Sequence, residues 1–321
     1  MKNVLIVGGA GYVGGAITDL VADQKYNVRV YDSLLYEDSY RKEMEFVYGD
    51  VRDTERLRPH LRWADVVVWL AAIVGDGACQ LNPDLTVAVN EEPIKWLANN
   101  YDGRIIFMST CSVYGAQDKE LDEDSPTNPL SLYAATKLRA ESHLKNKNAM
   151  IFRLGTLFGV GDLYARIRMD LVVNALTVKA HTVGKLSVFG GDQFRPLLHV
   201  KDVAKAVVQN LKTEHTGVHN LHRQNVRIVD LAYQVRNHFP DCEIERTDMP
   251  FQDTRNYRVC SKKARDVFGF NPTHSIDDGI EELKFLVETG RIKDINASRY
   301  SNQAYLSSQL QAIAKAELKA A

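Results

Sequence analysis

The chain has 321 residues, 45% hydrophobic and 25% charged, which is enough length for a sizeable core and the composition of an ordinary globular protein. A formal net charge of -1 gives no global electrostatic reason to expect nucleic acid or an anionic membrane as partner. Cys79, Cys111, Cys242 and Cys260 show no CxxC or finger spacing, so they read as thiols in a reducing compartment, with no metal site. The longest apolar run, Val66 to Val74, is too short to span a bilayer. The first residues carry no signal-peptide pattern, and a cytoplasmic protein is expected.

Val4-Leu5-Ile6-Val7 is a continuous aliphatic run, as expected of a parallel strand covered on both faces. It enters Gly8-Gly9-Ala10-Gly11-Tyr12-Val13-Gly14-Gly15, and an amphipathic pattern with Ile17, Leu20 and Val21 follows. Strand, glycine turn and helix form the context of a dinucleotide fingerprint. The spacing is Gly8-x-x-Gly11-x-x-Gly14: glycines permit the tight turn, admit a pyrophosphate close to the backbone and present helix-end N–H groups to it. A second strand, Val28 to Tyr31, ends in Asp32, which can accept from an adenosine ribose diol and repels a 2′-phosphate. No Arg or Lys follows in the next few residues, so NAD is expected rather than NADP. Phe46 to Asp53 reads as a third strand with its exit loop. Asp50 there either accepts from the adenine amino group or caps the next helix.

Val66 to Leu70 is the fourth strand, and the small Ala71-Ala72 after it leaves room for a cofactor. Ile94 to Asn99 belongs to a helix, and Arg104 to Met108 is a fifth strand that opens into Ser109-Thr110-Cys111-Ser112-Val113-Tyr114-Gly115. A polar loop with Pro126 and Pro129 leads to a helix carrying Tyr133 and Lys137. These lie four apart, on one helix face. A phenol has a pKa of about 10, and a neighbouring cation favours its phenolate, which can then act as a base. Met150 to Leu154 is a sixth strand. Strands alternating with helices as far as residue 155 predict an α/β fold with a doubly wound sheet. Beyond it, a helix is expected from Arg166 to Val178, a short strand from Leu186 to Phe189 with a Gly190-Gly191 turn, and a strand-then-helix from Leu198 to Leu211. The chain from Val218 onward is more polar and mixed. The tail from Gln309 is helix-prone and otherwise uninformative.

Together these residues resemble the extended short-chain dehydrogenase/reductase family that modifies nucleotide sugars, the NAD-dependent epimerase/dehydratase group. The resemblance rests on the Gly8/Gly11/Gly14 turn, Asp32, Gly49-Asp50-Val51, Leu70-Ala71-Ala72, Asn90, Ser109-Thr110, Val113-Tyr114-Gly115, Tyr133-x-x-x-Lys137 and Arg195-Pro196-Leu197-Leu198-His199-Val200. It implies a Rossmann-type doubly wound parallel sheet with a smaller C-terminal α/β substrate lobe. Residues 1–165, rejoined by 196–215, form the NAD-binding domain, and 166–195 with 216–321 form the substrate lobe. It implies NAD contacts from Gly8, Gly11, Tyr12, Val13, Gly14, Asp32, Ser33, Asp50, Val51, Leu70, Ala71, Ala72, Asn90, Ser109, Tyr133 and Lys137. Tyr133 is the implied base toward a sugar hydroxyl, usually at C4. Lys137 lowers its pKa, and Thr110 binds the same hydroxyl. Arg195 is implied on the substrate pyrophosphate, a structural ion pair being its other reading, while His199 reads as a core histidine. The 4,6-dehydratases of the family carry an acid just after the catalytic Thr, where this chain has Cys111-Ser112. The family's sugar-side Asn aligns with Thr156, and a family Arg near the nucleotide aligns with Met249, leaving Arg255 or Arg258 to replace it.

A narrower resemblance, through Val74-Gly75-Asp76-Gly77-Ala78-Cys79, Ser109 to Ser112, Arg166 to Asn174 and Phe189 to Gln193, is to bacterial enzymes that include the GDP-heptose C4 dehydrogenases of capsule synthesis. It implies substrate contacts from Val74, Gly75, Asp76, Thr110, Cys111, Ser112, Arg168, Asn174, Val188, Arg195 and Arg255, with Arg168 and Asn174 on one helix flanking the diphosphate. The expected activity is NAD-dependent oxidation of the C4 hydroxyl of a nucleotide-activated sugar, GDP-linked by preference. A 4-epimerase and a non-catalytic NAD-sensing protein are the alternatives. By analogy with the family, a homodimer is expected through the Tyr133 helix and the one near Glu91 to Asn99.

Overall fold

The computed structural model describes residues 1–164, 166–247 and 256–320, with side chains in the last helix described as far as Ala312. The chain runs β1 (Lys2–Val7), α1 (Tyr12–Ala22), β2 (Tyr26–Asp32), β3 (Glu45–Tyr48), α2 (Thr54–Trp63), β4 (Val66–Trp69), α3 (Asp76–Leu81), α4 (Pro83–Asn90), α5 (Glu92–Asn100) and β5 (Arg104–Thr110). After a 3₁₀ turn come β6 (Glu120–Leu121), α6 (Leu132–Leu144), β7 (Ala149–Leu154), β8 (Thr156–Phe158), α7 (Val172–Val183), β9 (Lys185–Phe189), β10 (Phe194–His199) and α8 (Val200–Asn210). The remainder is β11 (Gly217–Leu221), β12 (Gln224–Arg227), α9 (Ile228–Asn237), β13 (Glu243–Thr247), β14 (Arg258–Val259), α10 (Lys262–Phe268), α11 (Ile276–Glu288) and α12 (Asn302–Ala320).

Seven parallel strands form one sheet in the order β11-β7-β5-β4-β1-β2-β3. The continuous aliphatic strands are explained by two cores. Val4 and Ile6 of β1, Val66 and Val68 of β4, and Ile106 of β5 face one core with Ile17 and Val21 of α1 and Val203 and Val207 of α8. Their neighbours Leu5, Val7, Val67, Trp69, Ile105 and Phe107 face the other, with Leu57 of α2, Ile94 and Leu97 of α5, and Leu144 of α6. Period-2 side-chain direction thus sends alternate residues of each strand into opposite helical layers. Strand order reverses between β1 and β4. A crevice opens there beyond the carboxyl ends of the strands, the expected place for a ligand.

A third core gathers Phe158, Val173, Leu176, Leu186, Val188, Leu197, Val229, Leu231 and Ile280. Around it lie a β12-β10-β8 sheet and a parallel β13-β9 pair. The structure departs from the sequence-based expectation at two places. The chain's return to the main sheet does not end at 215: β11 pairs with β7 in register Gly217↔Met150 to Leu221↔Leu154, adding a buried edge strand where a polar lobe was expected. The helix expected from Arg166 begins only at Val172. Asn174 accounts for the delay. Its carboxamide accepts from Gly159 N at 3.0 Å and donates to Arg168 O at 2.8 Å, holding the preceding loop open. Gly184, at φ 68°, closes this helix in the left-handed conformation.

Candidate active site

A cleft of about 900 Å³ lies at the strand-order reversal. Its cofactor end is built by the first βα turn. Gly8 has φ +84°, and a Cβ there would sit 2.4 Å from Ala71 N. A Cβ on Gly14 would sit 2.5 Å from Gly9 O. Both positions therefore admit only glycine. Gly11 begins α1 with no side-chain cap, and the first turn holds no acid, so its N–H groups remain available to an anion. Tyr12 and Val13 line the cleft, and the Tyr12 hydroxyl donates to Gly159 O at 2.7 Å.

Asp32 closes β2 and accepts from Ala10 N at 3.0 Å and Leu34 N at 2.7 Å. Burial raises its pKa, against the pull of these backbone bonds. Ser33 and Val51 line the same end. Asp50 also lines it, paired with Arg52 at 2.6 Å, and this pairing lowers its pKa. Asp50 is not the cap of α2; Asp53 is, accepting from Arg56 N. Leu70, Ala71 and Ala72 form the floor.

At the centre, Thr110 ends β5, and Ser131 caps α6 by accepting from Ala134 N at 3.2 Å. Thr110, Tyr133 and Lys137 all line the cleft. Lys137 is 3% exposed, and its ammonium donates to Met108 O at 2.9 Å above the Phe107 ring. Burial brings its pKa down to about 8. The Tyr133 phenol is shifted upward, first by burial, then by negative charge at Cys79 and Asp76. Cys79 is itself pushed up to about 12, so at neutral pH it is a thiol. Arg168 and a Thr110 hydrogen bond pull the phenol downward. Lys137 itself donates to the Met108 carbonyl, and Arg168 is a further cation that acts on the phenol.

The other end of the cleft, where the sugar is expected, is a wall of loops. Val74, Gly75 and Asp76 after β4, Ser112, Thr156, and Arg168 before α7 all line it, as expected. Sequence reasoning missed Arg166, Asp170, Tyr257, Ser301, Asn302 and Gln303, which line it too. Only the charged run Arg166-Ile167-Arg168-Met169-Asp170 carried a local signal. Arg168 is not on the helix with Asn174; it projects from the loop, paired with Asp170 at 2.6 Å.

Most of the other expected contacts lie behind the cleft, and Ser109 lines it with its hydroxyl engaged elsewhere. Asn90 braces the exit of β4, exchanging bonds of 2.8 and 2.9 Å with the Ile73 backbone. Ser109 lines the cleft, but its hydroxyl donates to Glu141, whose carboxylate also holds Arg153 at 2.7 Å. Cys111 is fully buried and donates to Arg153 O. Asn174 is the loop clamp already described. Val188 is an inward residue of the third core. Arg195, buried on β10, donates to Phe194 O at 2.9 Å and does not line the cleft. His199 is a core histidine, 3.0 Å from Glu282 and stacked on His274. Arg255 and Met249 lie outside the described residues. Among the described residues no group of three or more His, Cys, Asp or Glu could hold a metal ion, and no helix is long and apolar enough to cross a membrane.

A glycine turn, a strand-end acid and a Tyr–Lys helix around one crevice define a dinucleotide-dependent oxidoreductase of the doubly wound class. Residues 4–224 match the NAD dependent epimerase/dehydratase family, and the chain belongs to that family. It is 27% identical over 326 residues to the UDP-glucose 4-epimerase of Lactobacillus helveticus, spanning 87% of this chain and 94% of the relative. It is 28% identical over 306 residues to the N-acetyl-alpha-D-glucosaminyl-diphospho-ditrans,octacis-undecaprenol 4-epimerase of Escherichia coli, spanning 92% and 86%. Its fold is similar to that of TunA, an NAD-dependent NDP-hexosamine 5,6-dehydratase involved in tunicamycin biosynthesis. There the TM-score is 0.79 at 23% identity, over 92% of this chain and 100% of that one. The cofactor is NAD, and the residues fit it: the Gly8–Gly14 cradle for the pyrophosphate, and Asp32, with no cation from Ser33 to Asp38, for an unphosphorylated ribose.

Proposed function

We propose that this enzyme oxidises the C4 hydroxyl of a nucleotide-activated sugar, and that a GDP-linked heptose is the first substrate to try. The observation that carries the reading is the convergence of Thr110, Tyr133 and Lys137 on the cleft that the glycine turn also lines. NAD, when bound, supplies the hydride acceptor and a positive ring that favours phenolate. Tyr133 takes the hydroxyl proton, Thr110 holds the hydroxyl oxygen, and Lys137 carries the positive charge at the base of the phenol. The C4 carbon becomes a ketone. The two positions after Thr110 offer no carboxyl group: Cys111 is a buried thiol and Ser112 faces Tyr257 at 3.3 Å. That supports oxidation over elimination of water. The GDP-heptose preference is supported by the likeness of the Val74–Cys79 and Arg166–Asn174 segments to those enzymes.

A second reading, 4-epimerisation, is favoured by the two epimerase relatives. An epimerase returns hydride to the other face of the ketone; a dehydrogenase releases the ketone and needs another acceptor. The test is purified enzyme with NAD and a panel of GDP-, UDP- and dTDP-sugars, followed by product analysis. A released 4-keto sugar supports the first reading and a C4 epimer the second; no product from any sugar defeats both. We also propose a homodimer through α5 and α6. Sedimentation equilibrium giving a monomer at micromolar concentration would refute it.

A further inference from the structure

We propose that the first turn of α12 is a working wall of the sugar subsite, in which Asn302 is a positioning residue that sets Arg166 and Arg168 against the hydroxyl-bearing face of the nucleotide sugar. The inference rests on the function proposed above. The family match ends at residue 224, so this wall lies outside the segment that defines the family.

Ser301, Asn302 and Gln303 line the cleft alongside Tyr133, Val74 and both arginines. Asn302 is 2% exposed, and its backbone and side chain serve two loops at once. Its Nδ2 donates to Val74 O at 2.8 Å, its N–H donates to Asp170 Oδ2 at 2.9 Å, and its Oδ1 accepts from Arg166 Nη2. Asp170 in turn holds Arg168 through Nε at 2.6 Å and Nη2 at 3.2 Å. One asparagine therefore fixes the loop after β4, the loop before α7 and two buried guanidinium groups. The helix is itself anchored. Leu306 packs with Ile73, Ala78, Cys79 and Tyr133. Tyr305 meets Tyr36 at a ring distance of 5.6 Å. A Cβ on Gly77 would lie 2.1 Å from the Gln303 side chain, so a glycine lets the strap approach α3.

A wall of amides, a hydroxyl and guanidinium donors suits a polyhydroxylated ligand, because each sugar hydroxyl both donates and accepts. Arg168 also acts electrostatically on the Tyr133 phenol, so the wall reaches the reacting hydroxyl. The sequence signal was weak because the contacts are non-local: Asn302 lies 132 positions from Asp170 and 228 from Val74.

The test uses full-length, NAD-loaded protein. Asn302→Ala is expected to raise KM for the best nucleotide sugar about tenfold, with kcat and NAD affinity little changed. Asn302→Asp, which retains the acceptor for Arg166, is expected to fall between. Gln303 is exposed, so Gln303→Ala retains the fold; it is expected to change the kcat/KM ratio between a hexose and a heptose substrate about threefold. An unchanged KM in Asn302→Ala overturns the proposal. If that variant does not fold, an unchanged sugar ratio in Gln303→Ala overturns it. Should the wild type turn over no nucleotide sugar, the functional reading fails instead, and GDP-mannose titration still decides here: about tenfold weaker binding by Asn302→Ala supports the wall, and equal binding overturns it.

Discussion

The two ends of the cleft are built on different principles. The cofactor end comes from contiguous chain: β1, its glycine turn and α1 supply the cradle, and β2 ends directly in Asp32. The sugar end comes from three loops distant in sequence, joined by Asn302 and Asp170. Local chemistry fixes the first; tertiary packing fixes the second. The cofactor end should therefore treat all sugars alike, and the sugar end should discriminate among them.

The largest effect is expected at the centre. Tyr133→Phe removes the proton acceptor and should lower kcat roughly a thousandfold for every sugar, with NAD affinity retained. A loss that differed between sugars would blur the division between the two ends. Lys137→Met should lower kcat/KM roughly a hundredfold yet leave the melting temperature at neutral pH unchanged or higher. The reason is that the fold buries this ammonium, with its pKa brought down to about 8, from an ordinary value of about 10.4. Below pH 8 folded and unfolded chains both carry the proton, and the burial cost is constant. Between about 8 and 10.4 the unfolded chain binds more protons, so this group's contribution makes the wild type gain stability as pH rises. The stability difference between Lys137→Met and wild type should therefore shrink above pH 8, as read by thermal denaturation across pH. A difference independent of pH would place the titration elsewhere.

Asp32→Ala should weaken NAD binding about tenfold, by loss of hydrogen bonds to the ribose, and narrow the preference over NADP. Calorimetric titration with both cofactors checks this. Undiminished discrimination would mean that Glu37, which also lines the cleft, does the excluding. The smallest effect is expected at Asp50, paired with Arg52 on a partly exposed surface. Asp50→Asn should change NAD affinity no more than about threefold, as expected of exposed pairs.

This division also explains what the sequence revealed. All six strands expected before residue 155 are present, most of them as aliphatic runs buried between two helical layers and β3 as a half-exposed edge strand. The glycine turn, Asp32, Tyr133 and Lys137 were legible because their signals are local spacings, and Thr110 through the resemblance to the family. Three things were not. The Arg166 loop reads as helix by apolar pattern, but long-range bonds from the buried Asn174 and Asn302 carboxamides hold it as a loop. Val188 and Cys111 look like site residues by position, yet period-2 geometry and a carbonyl partner turn them into cores. The α12 strap reads as an Ala- and Lys-rich tail, since nothing within it announces that Asn302 reaches Val74. The ammonium of Lys137 donates to the Met108 carbonyl, a partner that no spacing announces. A pattern of residue types does not specify which acceptor a long side chain selects.

The proposed chemistry has Tyr133 deprotonating a sugar C4 hydroxyl as hydride leaves the same carbon. It is tested most directly by single turnover of a nucleotide sugar deuterated at C4, with wild type and Tyr133→Phe compared. The account predicts slower oxidation of the deuterated sugar, deuterium recovered in the reduced cofactor, and neither event in Tyr133→Phe. Deuterium retained at C4 through a complete turnover, or transfer undiminished in Tyr133→Phe, would contradict it.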